Sequence, residues 1–331
     1  MVENGKHKPV YSTLSAASVV TQMEREYELH GPLEATLLHR GFSDTYLVSA
    51  KAARYVARVS RARRRDLHDV GWEVELVGQL KDAGVPVCGV LPTKAGRCAS
   101  LVEAAEGNRP LVVFEWLGGL APMRNEADSK AQGRTLASIH RDARPPDCTP
   151  NSHRSDSLSR VVGKAKTAIA ALIGDSDQRV FLLEFGAWLE RELSEIEPTL
   201  ELGVLHGDCH GANARIDSMG VAHFFDFDDA RLGPLIYDLA VFRSYCGIAP
   251  TLELRGLWGP FLEGYASVRM VPDLWALPYC VAARQFWLFG EYAHGANEGG
   301  RAWVEEWLPR HLKFLAAWRA RELSGQRSCD Q

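Results

Sequence analysis

Leu205-His206-Gly207-Asp208-Cys209-His210-Gly211-Ala212-Asn213 is followed closely by Phe225-Asp226-Phe227-Asp228-Asp229. Two acidic positions and an amide stand at fixed spacing, with an apolar run between them. Asn213 comes five residues after Asp208, close enough for one loop to present both side chains. Val221-Ala222-His223-Phe224-Phe225 reads as a short β-strand that delivers Asp226 to the same pocket. Phosphoryl transfer needs this set. One carboxylate orients a hydroxyl, and an amide with a second carboxylate holds the magnesium that neutralises ATP phosphates.

Upstream, Gly118-Gly119-Leu120-Ala121-Pro122 is a punctuated break and the predicted domain boundary. Before it, 33–38, 44–50 and Tyr55-Val56-Ala57-Arg58-Val59 read as strands, with a turn at His39-Arg40-Gly41-Phe42-Ser43. Val70, Val74, Val77 and Leu80 fall at helical spacing within 67–83, and Gly84-Val85-Pro86 supplies a stop. Strands at 101–103 and 111–115 join through Glu106-Gly107-Asn108, giving an antiparallel sheet that carries one helix. Beyond the break, helices are predicted at 126–142, 155–173, 177–196, 236–246, 252–268, 274–293 and 302–323, Pro278 and Pro309 starting or kinking the last two. Pro145, Pro146 and Pro150 make 144–151 a rigid loop.

With 331 residues the chain is long enough for two lobes. A formal net charge of −4 excludes a nucleic-acid-coating role, which needs concentrated positive charge. Arg61, Arg63, Arg64 and Arg65 form the one basic run, read either as a solvated turn or as a contact for phosphate or an acidic partner. Seven cysteines without a Cys-x-x-Cys pair argue against a disulfide framework or a zinc knuckle. The polar start Met1-Val2-Glu3-Asn4-Gly5-Lys6-His7-Lys8 leads into no apolar signal region. No run approaches the roughly 18 apolar residues of a membrane span. The expectation is a cytoplasmic protein with neither a nucleic-acid nor a membrane partner.

A sheet-rich first lobe, a glycine-marked hinge and a helical lobe bearing His206-Gly207-Asp208-x-His210-x-x-Asn213 and Asp226-Phe227-Asp228 resemble the aminoglycoside phosphotransferase family. That family includes choline kinases, type II homoserine kinases and bacterial stress-response Ser/Thr kinases. Leu205 to His210 and Phe227-Asp228-Asp229-Ala230-Arg231-Leu232-Gly233-Pro234 are most similar to the stress-response branch. Gly233 to Asp238 is also shared with the homoserine kinases. The resemblance, spanning about Leu33 to Leu315, implies an α+β, two-lobed protein-kinase-like fold. It has a small antiparallel-sheet N-lobe with one helix at 1–117, a large mainly helical C-lobe at 118–331, and ATP in the cleft.

Matched by motif, the resemblance implies that Asp208 is the catalytic base and that Asn213 and Asp226 are the magnesium ligands. His206 braces the catalytic loop, with Asp238 supporting it from the following helix. His210 either positions the loop or approaches the transferred phosphate. Asp228 assists the metal or pins its loop. Arg58 stands where the family has a phosphate-gripping lysine, and as an arginine it still offers permanent charge and a bidentate fork. Its helix partner is Glu73, with Glu75 as the alternative. Ser43, in the place of the phosphate-covering loop, contacts phosphate with backbone N–H groups. The adenine-binding hinge lies near Phe114, Glu115, Trp116 and Leu117, Trp116 facing either adenine or core.

Two other readings compete, and the acceptor is open within the kinase reading itself. His206-x-Asp208-x-His210 has the look of a zinc triplet, with His223, His294 and His311 as further candidates, although zinc gives no role to Asn213. A pseudokinase fits Arg58 and the single glycine of the Gly41 loop. Within the kinase reading, the acceptor is a small-molecule hydroxyl, aminoglycoside-, amino-alcohol- or homoserine-like and amine-bearing in one version, or a protein Ser/Thr. Glu291, Glu305 and Glu306 offer charge to an amine or form a solvated face. Trp287, Phe289, Tyr292, Trp303 and Trp307 are spaced for a helix core or for substrate stacking.

Overall fold

A computed structural model describes residues 9, 11–51, 53–62, 64–122, 125–147, 152–174, 176–248, 256–299 and 302–323, without the side chains of 295–299 and 302–304. The chain divides into two compact units. The first is Met1–Gly118 with Pro145–Asn151; the second is Gly119–Arg144 with Ser152–Gln331.

The first unit holds an antiparallel sheet of β1 (Glu34–Arg40), β2 (Ser43–Ser49), β3 (Arg54–Ser60), β4 (Val90–Leu91), β5 (Ser100–Ala104) and β6 (Gly107–Glu115). The order is β1-β2-β3-β6-β4, with β5 also on β6. A helix absent from the sequence expectation, α1 (Ala16–Glu26), caps on Ser15 and lays Val19 and Met23 on Tyr46, Val48, Val59, Leu111 and Val113. Only three of its eleven residues, Val19, Val20 and Met23, carry that apolar contact, too thin a stripe to stand out before the sheet is there to receive it. α2 (Leu67–Asp82) follows β3, capped by Asp66, and buries Val70, Trp72, Glu73, Leu76, Val77 and Leu80.

One buried charge network ties the β1–β2 turn to the sheet. Arg109, fully buried on β6, pairs with Asp44 at 3.0 Å and donates to the Ser60 carbonyl at 2.8 Å. Tyr11 donates its hydroxyl hydrogen to the same Asp44. The basic run is correspondingly not a solvated turn. Arg65 is buried on Glu73, Arg61 lies over the Tyr11 ring and Arg64 over Phe42, at 4.1 and 3.9 Å. Arg63 lies outside the described residues.

The second unit contains α3 (Glu126–Asp142), α4 (Leu158–Ala170), α5 (Asp177–Ile196), α6 (Ile236–Ile248), α7 (Trp258–Ala266), α8 (Leu277–Gly299) and α9 (Ala302–Trp318). The helix expected at 155–173 begins later, because Ser152–Ser155 forms a 3-10 turn and Ser157 caps α4. Residues 252–255 of another expected helix, and 148–151 of the predicted loop, lie outside the described residues. Pro278 occupies the first turn of α8, where no N–H is required, while α9 runs through Pro309. Among the described residues no helix is long and apolar enough to cross a membrane.

Two short ribbons position the site. β7 (Leu202–Leu205) pairs antiparallel with β10 (Arg231–Pro234), and β8 (Ala214–Ile216) pairs with β9 (Ala222–Phe224). The loop 206–213 therefore starts on β7 and ends on β8, while 225–230 starts on β9 and ends on β10. Each sequence motif is anchored at both ends.

Candidate active site

The loop that opens with His206 is built on one buried carboxylate. Asp238, in the first turn of α6, accepts the His206 N–H on Oδ2 at 2.7 Å and the Gly207 N–H on Oδ1 at 2.8 Å. His140, on the buried face of α3, bridges Asp238 Oδ2 at 3.0 Å and the Tyr265 hydroxyl at 2.8 Å. Burial works to raise the Asp238 pKa, and the hydrogen bond and charge of His140, with His206 and the Gly207 N–H, outweigh it. Asp238 is thus held ionised. Gly207 has φ +84°, and a Cβ there would collide with the Asp229 carbonyl, so only glycine lets the two loops touch.

Both ring nitrogens of His206 are engaged. Nε2 lies 3.2 Å from the Phe225 carbonyl, and Nδ1 accepts the Asp208 N–H at 3.2 Å. That pattern fits the neutral Nε2–H tautomer, and burial lowers the ring's pKa to match. The ring packs on Phe227 at 4.4 Å. Neither nitrogen is left for a metal, and among the described residues no three His, Cys, Asp or Glu side chains are grouped to hold one. The zinc reading loses its first ligand. Cys209 donates its S–H to the Asp238 carbonyl, and burial pushes its pKa well up, so it is an inert thiol.

Asp208 is held from two sides. Asn213 Nδ2 donates to Oδ2 at 3.0 Å and to the Asp208 carbonyl at 2.9 Å, and His210 Nε2 lies 3.2 Å from the same Oδ2. Arg284, from α8, donates to Oδ1. Burial alone would raise this carboxyl's pKa, but His210 and Arg284 outweigh it and hold the group below the usual carboxylate range. His210 caps the turn 211–213 by accepting the Ala212 N–H on Nδ1 at 3.1 Å, and stacks on Tyr245.

The second motif meets the first through the backbone. The Phe225 N–H donates to the Asn213 carbonyl at 3.1 Å, fixing Asp226, the next residue, against the end of the loop. Asp226 adopts φ +68°, a conformation side-chain-bearing residues rarely take. Asn213 commits its NH2 to Asp208, which leaves Oδ1 as its group for a cation. With the Asp226 carboxylate this is a pair of hard oxygen donors, the set magnesium takes alongside water and phosphate.

Asp229 was not singled out by spacing. Burial raises its pKa first, then the Asp208 and Glu291 carboxylates, with Arg284 opposing and Asp228 adding; the result is about 7. A folded pKa above the unfolded value means stability from this group is complete below about pH 4 and is lost as pH rises through about 7. Asp229→Asn should therefore gain about 2 kcal/mol on wild type between pH 5 and pH 8. Urea midpoints at the two pH values check this, and parallel pH dependences would contradict it.

In the first unit, Arg58 donates to Glu73 Oε2 at 2.7 Å, and Arg65 reaches the same oxygen at 2.8 Å. Arg58 is thus a buried partner of the helix glutamate, not a surface strand residue. Glu75 instead accepts the Asp147 N–H at 2.7 Å, which separates the two candidates. The Ser43 hydroxyl is buried with no hydrogen-bond partner, an arrangement suited to a ligand. Glu115 and Trp116 spend their N–H groups on Gly89 and Arg54, and the Glu115 carboxylate pairs with Lys81 at 2.9 Å. Arg54 lies over the Trp116 ring. Leu117 follows two residues beyond the end of β6.

The helical candidates separate as well. Glu305 and Glu306 are exposed on α9, whereas Glu291 is half-buried and close enough to act on Asp229. Phe289 is core against Phe286, Tyr292 donates to or accepts from His311 at 2.8 Å, and Trp287 lies 4.0 Å from the Arg284 guanidinium. The Trp303 side chain lies outside the described residues. His140 and Arg284 were missed. His140 lies in the mixed run Leu136-Ala137-Ser138-Ile139-His140-Arg141, which gives no local signal, and the one signal for Arg284 was its place after the apolar run Val281-Ala282-Ala283.

The profile of the phosphotransferase enzyme family matches residues 34–271. The chain belongs to that family and is an enzyme that transfers phosphate to a hydroxyl group. An uncharacterised protein of Deinococcus radiodurans is 33% identical over 318 residues, covering 94% of this chain and 92% of its own. Among solved structures, a microcompartment-associated aminopropanol kinase superposes with TM-score 0.72 at 24% identity, covering 92% of this chain and 95% of that one. An amicoumacin kinase in complex with AMP-PNP and Ca2+ gives 0.71 at 18%, covering 93% and 92%. These likenesses bear out the two-lobed α+β kinase-like fold.

Proposed function

We propose that this protein moves the γ-phosphate of ATP to the hydroxyl of a small, amine-bearing molecule. The observation that carries the reading is the Asp208–Asn213 pair, hydrogen-bonded on one loop and tied through Phe225 to the strand end bearing Asp226. Asp208 orients the acceptor hydroxyl. In a loose transition state the proton leaves late, so a carboxylate of low pKa suffices and positioning is the larger contribution. Asn213 and Asp226 would hold magnesium, which when bound neutralises charge on the phosphates. Arg58, oriented by Glu73, steadies the phosphates, Ser43 contacts them, and main-chain groups of Glu115 and Leu117 hold the adenine. His206 and Asp238 keep the loop in shape, His210 seats the Asp208 carboxylate, and Asp228 pins its own loop.

The amine follows from charge. Burial first, and then the Asp208, Glu291 and Asp228 carboxylates, lift Asp229 to about 7 despite Arg284, so four carboxyl groups act within one corner of the site. Such a carboxylate excess attracts an ammonium group. The kinship in fold with an aminopropanol kinase supports the same acceptor type.

An ATP-consumption screen over 1-amino-2-propanol, choline, an aminoglycoside, homoserine, a neutral sugar and a generic protein substrate tests this, with GTP run beside ATP. The expected result is turnover on an amino alcohol or aminoglycoside, with the sugar at least about tenfold slower. Turnover confined to the protein substrate would replace the small-molecule reading with a Ser/Thr protein kinase. Nucleotide binding with no turnover on any acceptor would leave a pseudokinase.

A further inference from the structure

We propose that Arg284, on a helix distant in sequence from both motifs, is a positioning residue that fixes the Asp208 carboxylate for transfer. The proposal rests on the kinase reading of Asp208. Arg284 sits in the apolar run Cys280-Val281-Ala282-Ala283 of α8 and is itself buried. Burying a guanidinium is costly unless it is paired and hydrogen-bonded. Its fork is spent on adjacent residues of the catalytic loop: Nη2 donates to Asp208 Oδ1, and Nη1 to the Gly207 carbonyl at 3.2 Å. The flat face lies 4.0 Å from the Trp287 ring, one side wall, while the Tyr237 hydroxyl and the Asp229 carboxyl are its other polar neighbours.

Consider the carboxylate without it. Asn213 and His210 both hold Oδ2, so the loop's own donors fix one oxygen and leave the group free to turn about the bond to Cβ. Arg284 holds the other oxygen from a separate element, and both oxygens are then set. Lysine has a single ammonium in place of the fork and cannot reach Oδ1 and the Gly207 carbonyl with the same planar geometry. Trp287 contributes by holding the guanidinium plane. Arg284 thus joins α8, the loop 206–213 and Asp229 at the point where the acceptor hydroxyl would be aligned.

The test uses the full chain with MgATP and water as acceptor, read as phosphate release. Arg284→Lys and Arg284→Ala should each lower kcat by about thirtyfold or more, with KM for MgATP within about twofold, because misplacement of a catalytic group acts on the chemical step. Guanidinium ion at low millimolar concentration should recover at least about fivefold in Arg284→Ala and nothing in wild type, refilling the vacated fork. A merely structural arginine would not respond to that ion. If Arg284→Ala does not fold, Arg284→Lys and Arg284→Gln carry the comparison. Arg284→Lys with kcat within threefold of wild type, or a folded Arg284→Ala that guanidinium leaves unchanged, overturns the proposal. Asp208→Ala run in parallel separates the two levels. An inactive Asp208→Ala beside an active Arg284→Lys removes only the role of Arg284, whereas turnover surviving in Asp208→Ala removes the kinase reading with it.

Discussion

Asp208→Ala should lower phosphoryl transfer by about a thousandfold or more while MgATP affinity changes by less than about threefold. The carboxylate is the one side chain on its loop held by three separate donors, Asn213, His210 and Arg284, and none of these carries a carboxylate that would replace it. Removing it leaves the proposed cation ligands standing. Asn213 Nδ2 keeps the Asp208 backbone carbonyl at 2.9 Å, so its amide stays oriented, and the Phe225 to Asn213 backbone bond still ties Asp226 to the loop. Chemistry is lost and binding is kept. Asp226→Ala should behave in the opposite sense, raising KM for MgATP as well as lowering kcat, because it removes one of the two hard oxygen donors. Phosphate release, product mass and nucleotide titration distinguish the two. Near-normal turnover in Asp208→Ala would end the assignment.

Asp238→Ala should cost about 3–5 kcal/mol of stability, out of the roughly 5–15 kcal/mol a folded domain has to lose. The His206 and Gly207 N–H groups and the His140 ring all depend on this carboxylate, and it is fully buried. Removing it strands three donors that water cannot reach, which costs more than the bonds themselves contributed. Asp238→Asn should be nearly as damaging, because its NH2 must face one of those donors. The folded pKa lies below the unfolded one, so the contribution is present above about pH 4 and is lost as pH falls further. Urea unfolding of wild type and variants at pH 7 and about pH 2.5 measures it. The difference between them should shrink at the lower pH, and variants as stable as wild type at pH 7 would show that Asp238 does not carry the loop.

Much of the site was legible because its members are close in sequence. Asp208 and Asn213 share a loop, Asp226 follows a strand of alternating burial, and a loop cannot vary far within five residues. The Arg58–Glu73 pair was legible for a related reason: a strand and the helix after it bring residues at that separation together, although spacing left Glu73 and Glu75 as alternatives. The structure separated them, since residues two apart on a helix face different ways, and Glu75 is turned to Asp147.

His140 and Arg284 were not legible. Each is one polar residue of a helix, and its partner lies 98 and 76 residues away. Such a residue satisfies no local pattern, because nothing within one helical turn accepts its hydrogen bonds. α1 escaped notice for a similar reason, since Val19 and Met23 become a buried face only when the sheet lies against them. By itself the sequence determined the reaction class and placed the proposed site residues on two short loops, because loop chemistry and short spacing carry that information locally. Only the tertiary structure decided what holds those residues in place, because the burial that makes Asp238, His140 and Arg284 bind so strongly exists only after distant elements have excluded water.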